Sequence, residues 1–486
     1  MISPSCDTIQ ELAGTYNTIP VCKEIYADTA TPISLLKKLA TVSDRYYLLE
    51  SVEGGEKWGR YSFLGFDPVM RVRALEGTVS IEKDGETEIV RDADPYCVLR
   101  ALLADYKAPR IPGHPPFTGG FVGSFSYAMM SVPEPQLRIK RGAFDDMDVM
   151  LFDKVIAYDH LKQKISLVVN MRADRVMENY GKACGELEAL AGLIRSEEPG
   201  GKADAPGRAN FVCNVSKEEY CANVERIKEY IVKGDIFQLV YSRQFKSRYE
   251  GSLLNAYRVL RTINPSPYMV YMHFDEDEII STSPETLVRL QEGRLYTFPV
   301  AGSRPRGKTQ REDEELEKGL LADEKELAEH NMLVDLGRND LGRISQYGSV
   351  EVTQYQAIHK YSRIMHICSQ VEGNIRPDAD GLDAIASVLP AGTLSGAPKI
   401  RAAEIIEELE TEPRGIYGGA LGYIDFTGNL DTCIAIRMAV KKDGYVYVQS
   451  GGGIVADSVP ETEYEESANK AAAVISAIEQ AGEVDL

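Results

Sequence analysis

"GALGYIDFTGNLDTCIAIRMAVKKDGYVYVQSGGG" fills residues 419–453, and its punctuation decides the fold class. Two-residue turn signals, Gly428-Asn429 and Asp443-Gly444, separate runs rich in Ile, Val, Tyr and Thr, the pattern of β-hairpins. A turn that short forces antiparallel neighbours, because a parallel pair needs a long crossover. The stretch therefore predicts three antiparallel strands, and "EIISTSPETLVRLQEGRLYTFPVAG" (278–302) predicts three more. Further hairpins are expected at "TVSIEKDGETEIV" (78–90), turning at Asp84-Gly85, and at "KVIAYDHLKQKISLVVN" (154–170). Helices intervene: "SKEEYCANVERIKEYIVKG" (216–234) carries a capping box, Ser216 with Glu219, and stops at Gly234. The expected class is α+β, antiparallel sheets with flanking helices in a layered sandwich, and not a doubly wound nucleotide-binding sheet.

The chain has 486 residues and a formal charge of −20. That length allows two or three domains, and the charge argues against a nucleic-acid or anionic-membrane partner, either of which needs a basic face. The 8 cysteines sit singly, with no C-x-x-C pair, which disfavours a zinc ribbon or disulfide scaffold and favours a reducing compartment. The N-terminal sequence lacks a signal-peptide pattern, and no run approaches the ~20 apolar residues of a membrane span. A cytoplasmic protein is expected. "RSEEPGGKADAPGRAN" (195–210) combines Pro, Gly and charge without apolar periodicity. It reads as a linker or long loop between an N-terminal region, 1–194, and a C-terminal region, 211–486.

Three constellations carry possible chemistry. On the expected helix "ADEKELAEHNMLVDL" (322–336), Glu326, Glu329 and His330 fall at i, i+3 and i+4, a single face by spacing. The stretch "GGGIVADSVPETEYEE" (451–466) opens on three glycines, which suggest a loop lying close to an anion, yet continues into five acidic side chains that would repel one. On the following helix Glu463, Glu466 and Lys470 again share a face. Each acidic pair alone is commonly a solvated helix face; one Glu from each helix would also suit Mg²⁺, a hard cation that takes oxygen ligands. Basic residues supply the rest. "AGSRPRGKTQR" (301–311) gathers Arg304, Arg306, Lys308 and Arg311. In "DTCIAIRMAV" (431–440) strand alternation buries Ile434, Ile436, Met438 and Val440 and leaves Arg437 on a face of small residues. Such a guanidinium suits a cleft gripping a carboxylate, and suits equally an internal Arg–Glu pair.

Six motifs, in order, now carry a resemblance: "SPE" (283–285), "PVAGSRPRG" (299–307), "KELAEHNMLVDLGRNDLGRI" (325–344), "PAGTLSGAPKIRAAEII" (390–406), "YGGALGY" (417–423) and "GGGIVADSVPETEYEE" (451–466). Together they resemble the chorismate-utilising enzymes, within them the component I branch of the anthranilate synthases. The likeness is nearly continuous from Ser216 to Ala477 and reaches the first half weakly through "YYLLESVEGGEKWGRYSFLG" (46–65). One departure is Ser303, where that branch carries Thr.

The resemblance implies a regulatory N-terminal region and a catalytic C-terminal one. It implies Mg²⁺ on Glu329 and Glu466, with Glu463 in support. Glu285 would act as general acid on the C4 hydroxyl of chorismate, Gln238 would guide ammonia to C2, and His366 would assist loss of pyruvate, with Glu326 beside them. Gly302, Ser303, Arg304, Thr393, Lys399, Tyr417, Arg437, Lys470 and the backbone of Gly451, Gly452 and Gly453 would hold the substrate. Carboxylate-binding glycines and cation-binding acids would then belong to one ternary site. Gln238 stands where water-using relatives carry a Lys, and Ala301 stands where aminodeoxychorismate synthases carry a nucleophilic Lys. Both differences favour ammonia as the nucleophile and anthranilate as the product over aminodeoxychorismate. A non-catalytic amino-acid-binding regulator on this fold would have lost Glu285, Glu329 or Glu466, and all three are intact. The resemblance further implies a separate glutamine amidotransferase subunit (component II) delivering ammonia, a heterotetramer of two large and two small subunits, and feedback inhibition by tryptophan. The inhibitor pocket would be built from "LLES" (48–51) and "NPSPYM" (264–269), with Glu50, Ser51, Pro267, Tyr268 and Met269 as its residues.

Overall fold

The turn residues act as the sequence demands. Asp84 and Gly85 take φ of 53° and 79°, and Asp443 and Gly444 take 51° and 74°, so both hairpins close on left-handed pairs whose twist matches the strands. The computed structural model describes residues 2–51, 59–196, 208–360 and 364–484. Among these, thirteen strands form one antiparallel sheet and twelve form another. Tyr47, Phe63, Val270 and Met438 from the first sheet and Phe152, Val122, Leu421 and Cys433 from the second share one buried cluster, the filling of a sandwich. Helices Pro32–Leu39, Val176–Arg195, Leu254–Ile263 and Pro460–Gln480 contribute to the core on the outer side of the first sheet. Helices Pro95–Ala104, Glu324–Gly342 and Gly381–Val388 cover the second. The helix Lys217–Lys233 begins with the Ser216 hydroxyl accepting from Glu219 N–H and ends at Gly234 with φ 83°.

Both sheets draw strands from either side of residues 195–210. Arg45–Glu50 pairs with Tyr268–Phe274 in the first sheet, and Gly120–Phe125 pairs with Ala420–Asp425 in the second. The two regions are therefore hydrogen-bonded into shared layers. Of the expected linker, residues 197–207 lie outside the described residues.

The two stretches expected to give three strands each give four. The chain changes sheets inside both of them. Asp277–Ser283 belongs to the first sheet and Thr286–Gln291 to the second, so Ser283-Pro284-Glu285 is a crossing point. Leu430–Ile434 belongs to the second sheet and Met438–Lys442 to the first. Arg437 sits in that second crossing at φ 49°. The alternation expected along 431–440 fails for this reason: Cys433, Ile434, Ala435, Met438 and Ala439 are all buried, because a strand passing between two packed sheets has no solvent face. Arg437 reaches its position through an unusual backbone conformation at a break, and not through the side-to-side rhythm of a strand.

Candidate active site

The two crossings lie side by side. Ile434 N–H donates to Glu285 O at 3.0 Å and Gly418 N–H donates to Ala435 O at 2.9 Å, which ties the backbone at Glu285, at 417–418 and at 434–437 together. The Glu285 carboxyl lies 3.2 Å and 3.3 Å from the Thr393 hydroxyl. Burial pushes its pKa up to about 8, the Thr393 bond opposing only in part. At neutral pH Glu285 therefore holds a proton, the state a general acid needs.

The glycines expected in a loop are instead the end of strand Tyr445–Ile454. Pairing with Met438–Lys442 stops at Val448, whereas pairing with Gln238–Arg248 continues to Ile454. One edge of Gly451, Gly452 and Gly453 is thus free of the ladder. On that edge the Gly451 N–H lies near the Tyr417 hydroxyl, opposing in small part the rise that burial gives its pKa, and Gly451 O accepts from Lys470 Nζ at 3.1 Å. Backbone groups alternate sides along an antiparallel strand, so Gly453 shares this free edge and Gly452 turns to the ladder. The bare Cα atoms serve packing as well. A Cβ on Gly453 would stand 2.3 Å from Gln238 Nε2, and one on Gly452 would stand 3.1 Å from Glu463 Oε2. Gln238 and Glu463 therefore lie against the strand on its two opposite faces.

The acidic residues come from two helices. Glu324–Gly342 buries His330, Leu333, Val334 and Leu341, so His330 points into the core and Glu329 is exposed. The single face expected for Glu326, Glu329 and His330 is split, because consecutive helical residues stand about 100° apart. Although Glu329 keeps much of its surface in solvent, its carboxyl is crowded by protein, and desolvation, then the charge of Glu326, hold it above its ordinary pKa, with Glu466 adding and Lys325 and Lys470 opposing. Glu463 is raised by burial, with Glu466 contributing. These carboxylates share one electrostatic neighbourhood, and Lys470 answers it with a 2.7 Å contact to Glu466. Among the described residues no three His, Cys, Asp or Glu side chains converge as a ready-made metal cage. Carboxyl groups that are partly desolvated and crowd one another favour a cation among them, and Mg²⁺ keeps water and substrate oxygens in its shell, so the residues present fit the ion.

Arg437 donates to Lys470 O at 2.9 Å and forms no ion pair among the described residues. Burial pushes its guanidinium below its ordinary pKa, with Tyr417 and Glu466 opposing. A buried cation without an anion is costly, and its place in the cleft wall offers one to an incoming carboxylate. His366 lies beside it: its Nδ1–H donates to Gly302 O at 3.2 Å, and burial together with Arg437 lowers its pKa, leaving it neutral. Gly302 makes this possible at φ 74° in a bulge, where a Cβ would meet Glu326 Oε2 at 3.1 Å. Ser303 is exposed beside it.

Two expected substrate contacts are otherwise engaged. Arg304 reaches Asp323 at 2.8 Å and Glu326 at 3.2 Å, tying the bulge to the start of the acidic helix. Lys399 contacts both oxygens of buried Asp340 at 3.0 Å and donates to Val388 O at 3.0 Å. Asp340 escaped the sequence reading because nothing in its helical spacing marks a buried partner 59 residues away.

A cavity of about 340 Å³ lies on the other side of the Ser283–Thr286 crossing. Glu50, Ser51, Pro267, Tyr268 and Met269 all line it, and so do Pro284 and Thr286. The two halves of the expected pocket meet because Glu50 is opposite Met269 in the ladder. Glu50 is buried, accepting from Tyr257 Oη at 2.7 Å and Arg261 at 3.0 Å. Tyr268 Oη donates to Asp431 at 2.8 Å and lies 2.9 Å from the Thr286 hydroxyl. Glu285 itself does not line the cavity, while its neighbours Pro284 and Thr286 do.

With the geometry in place, comparison with known proteins is direct. The chain matches the family described as chorismate binding enzyme over residues 45–476. It is 46% identical to anthranilate synthase component 1 of Acetivibrio thermocellus, with 100% of each chain covered. It is 44% identical to the protein of that name from Aquifex aeolicus, covering 99% of this chain and 98% of the relative. Among solved structures it superimposes on anthranilate synthase component I from Streptococcus pneumoniae with a TM-score of 0.76 at 35% identity, covering 87% of this chain and 95% of that one. The menaquinone-specific isochorismate synthase of Escherichia coli shares the fold, with a TM-score of 0.69 at 18% identity over 97% and 98% of the two chains.

Proposed function

Since the chain belongs to the family of chorismate binding enzymes, we propose that it converts chorismate and ammonia to anthranilate, pyruvate and water, the component I reaction of anthranilate synthase and the entry to tryptophan synthesis. The observation that carries this choice is the pair Gln238 and Ala301. Neither position offers an amine, Gln238 lays a neutral amide over Gly453, and ammonia is left as the nucleophile that needs no base to activate it.

Each residue has a task. Arg437, Lys470, Tyr417 and the free edge of Gly451 and Gly453 hold the substrate carboxylates. Protonated Glu285 donates to the C4 hydroxyl, which leaves as water while ammonia forms the C2–N bond and the ring double bonds shift. Neutral His366 then accepts the proton released from C2 as the C3–O bond breaks; the enolpyruvyl group departs and becomes pyruvate, and the ring is aromatic. Glu329 and Glu466 would hold Mg²⁺, with Glu463 and Glu326 supporting them. When bound, the ion supplies Lewis-acid polarisation of the ring carboxylate.

The cavity holding Glu50, Ser51, Pro267, Tyr268 and Met269 takes tryptophan as a feedback inhibitor. Its volume suits a small ligand, Glu50 meets the ammonium, and Pro267, Tyr268 and Phe63 wall the indole. Ammonia comes from a glutamine amidotransferase partner, component II, in a cytoplasmic heterotetramer with two copies of each subunit; no nucleic acid or membrane takes part. The 1–194 region regulates and the 211–486 region carries the chemistry. Purified chain given chorismate, Mg²⁺ and an ammonium salt at raised pH should generate anthranilate fluorescence and should ignore glutamine. Absence of anthranilate, or glutamine use by this chain alone, contradicts the reading.

A further inference from the structure

His330 is fully buried and lies on the helix of Glu326 and Glu329, yet the chemistry above gives it no task. Its Nε2 is 2.7 Å from the Ser369 hydroxyl, and its Nδ1 has no hydrogen-bond partner among the described residues. One bond therefore ties the middle of the acidic helix to strand Ile364–Asn374. That strand does more than support the helix. Cys368, Ser369 and Gln370 line the 340 Å³ cavity, together with Gln354 and His359 from the neighbouring strand.

The tie is doubled next door. Asn331 Oδ1 accepts from Tyr355 Oη at 2.7 Å and from Gln356 Nε2 at 3.0 Å, and Gln356 N–H donates to the Ser369 hydroxyl at 3.0 Å. Tyr355 and Gln356 form a bulge opposite Ser369, between the pairs Gln354↔Gln370 and Ala357↔Cys368. Gln356 holds φ 52° there, a left-handed conformation that costs a residue with a Cβ and persists only where its surroundings hold it. Strain of this kind clusters at switch regions, and coupling between two sites needs an element that both can bias. Cavity wall, strained bulge and acidic helix thus meet at five side chains: His330, Asn331, Tyr355, Gln356 and Ser369.

We propose that this junction carries the state of the cavity to the acidic helix, with Ser369 as the residue that senses occupancy and His330 as the positioning residue for Glu326 and Glu329. A ligand that fits one arrangement of the Ser369 wall better than the other selects that arrangement. The bonds to His330 and Asn331 then move the helix on which Glu326 stands one turn before His330, and Glu329 immediately before it. Linkage requires the reverse as well: a substrate that fixes the acidic helix weakens ligand binding in the cavity. This rests on the reading of the cavity as the tryptophan site and of the cleft as the chorismate site.

The test is calorimetric titration of tryptophan into the full chain, with and without saturating chorismate and Mg²⁺, in ammonium-free buffer so that chorismate is not consumed. The ratio of the two tryptophan Kd values is the coupling factor, expected at about fivefold or more in the unmodified protein. In Ser369→Ala and in His330→Phe it falls to within about twofold of unity, while tryptophan still binds without chorismate. His330→Gln, whose amide nitrogen reaches the position of Nε2, keeps the coupling. A full coupling factor in Ser369→Ala or His330→Phe overturns the proposal. Thermal melts establish that the variants fold, and Ser369→Ala decides the matter if His330→Phe does not. If tryptophan fails to bind the unmodified chain, the cavity reading itself falls and takes the proposal with it; if tryptophan binds but chorismate leaves its Kd unchanged, the wiring alone is refuted.

Discussion

Replacing Glu285 with Gln probes the acid directly, through stability as well as rate. The folded protein raises this carboxyl from its ordinary 4.5 to about 8. Between those values the folded state binds a proton that the unfolded chain has released, so stability falls as pH rises through the window. At about 1.4 kcal/mol per pH unit the full loss above pH 8 is on the order of 5 kcal/mol. Gln matches the shape of the protonated carboxyl and carries no charge at any pH. Relative to the native protein, Glu285→Gln should therefore gain about 3 kcal/mol of stability on going from about pH 5.5 to about pH 9. Urea unfolding at a series of pH values gives this difference, and the ammonium-dependent rate gives the companion result: kcat falls by about 10²–10⁴ for loss of a general acid. A stability difference flat across that window would show that the carboxyl ionises normally, and the role of Glu285 as a proton donor at neutral pH would fall with it.

Other substitutions separate the remaining parts. Glu329→Gln and Glu466→Gln each remove a proposed anionic ligand from an exposed position, so activity should vanish while the melting temperature barely moves; near-normal rates at low Mg²⁺ would contradict the assignment. Ser51→Phe fills the cavity, which Glu285 does not line, and should give an active, tryptophan-resistant enzyme; equal tryptophan inhibition curves in the two proteins would exclude the site. Lys399→Met strands Asp340 without its cation and should cost about 3–5 kcal/mol of stability in urea unfolding. A stable variant would show that the pair contributes little.

How much of this was legible in the sequence depends on range. Turns are local, so Asp84-Gly85 and Asp443-Gly444 announced antiparallel sheets before any contact was known. Ser216 and Gly234 likewise marked both ends of their helix. The crossings between sheets were not legible, because a run such as 431–440 is apolar on both faces whether it stays in one sheet or passes between two. Arg437 was singled out for its small neighbours, yet its backbone conformation at the break explains its place. His330 looked like a companion of Glu329 by spacing; which residues of a helix face inward is set by the sheet beneath it. The motif resemblance nominates Glu285, Gln238 and the cavity residues, and the structure adds what motifs lack: the meeting of Glu50 with Met269, the free strand edge and the engaged partners of Arg304 and Lys399.

Simultaneous measurement of anthranilate and pyruvate, from chorismate, Mg²⁺ and ammonium salt with the purified chain, tests the central claim most directly. The mechanism above predicts that both appear together in equal amounts as chorismate disappears. Consumption of chorismate into an aminated product that retains its enolpyruvyl group, with no pyruvate released, would contradict it.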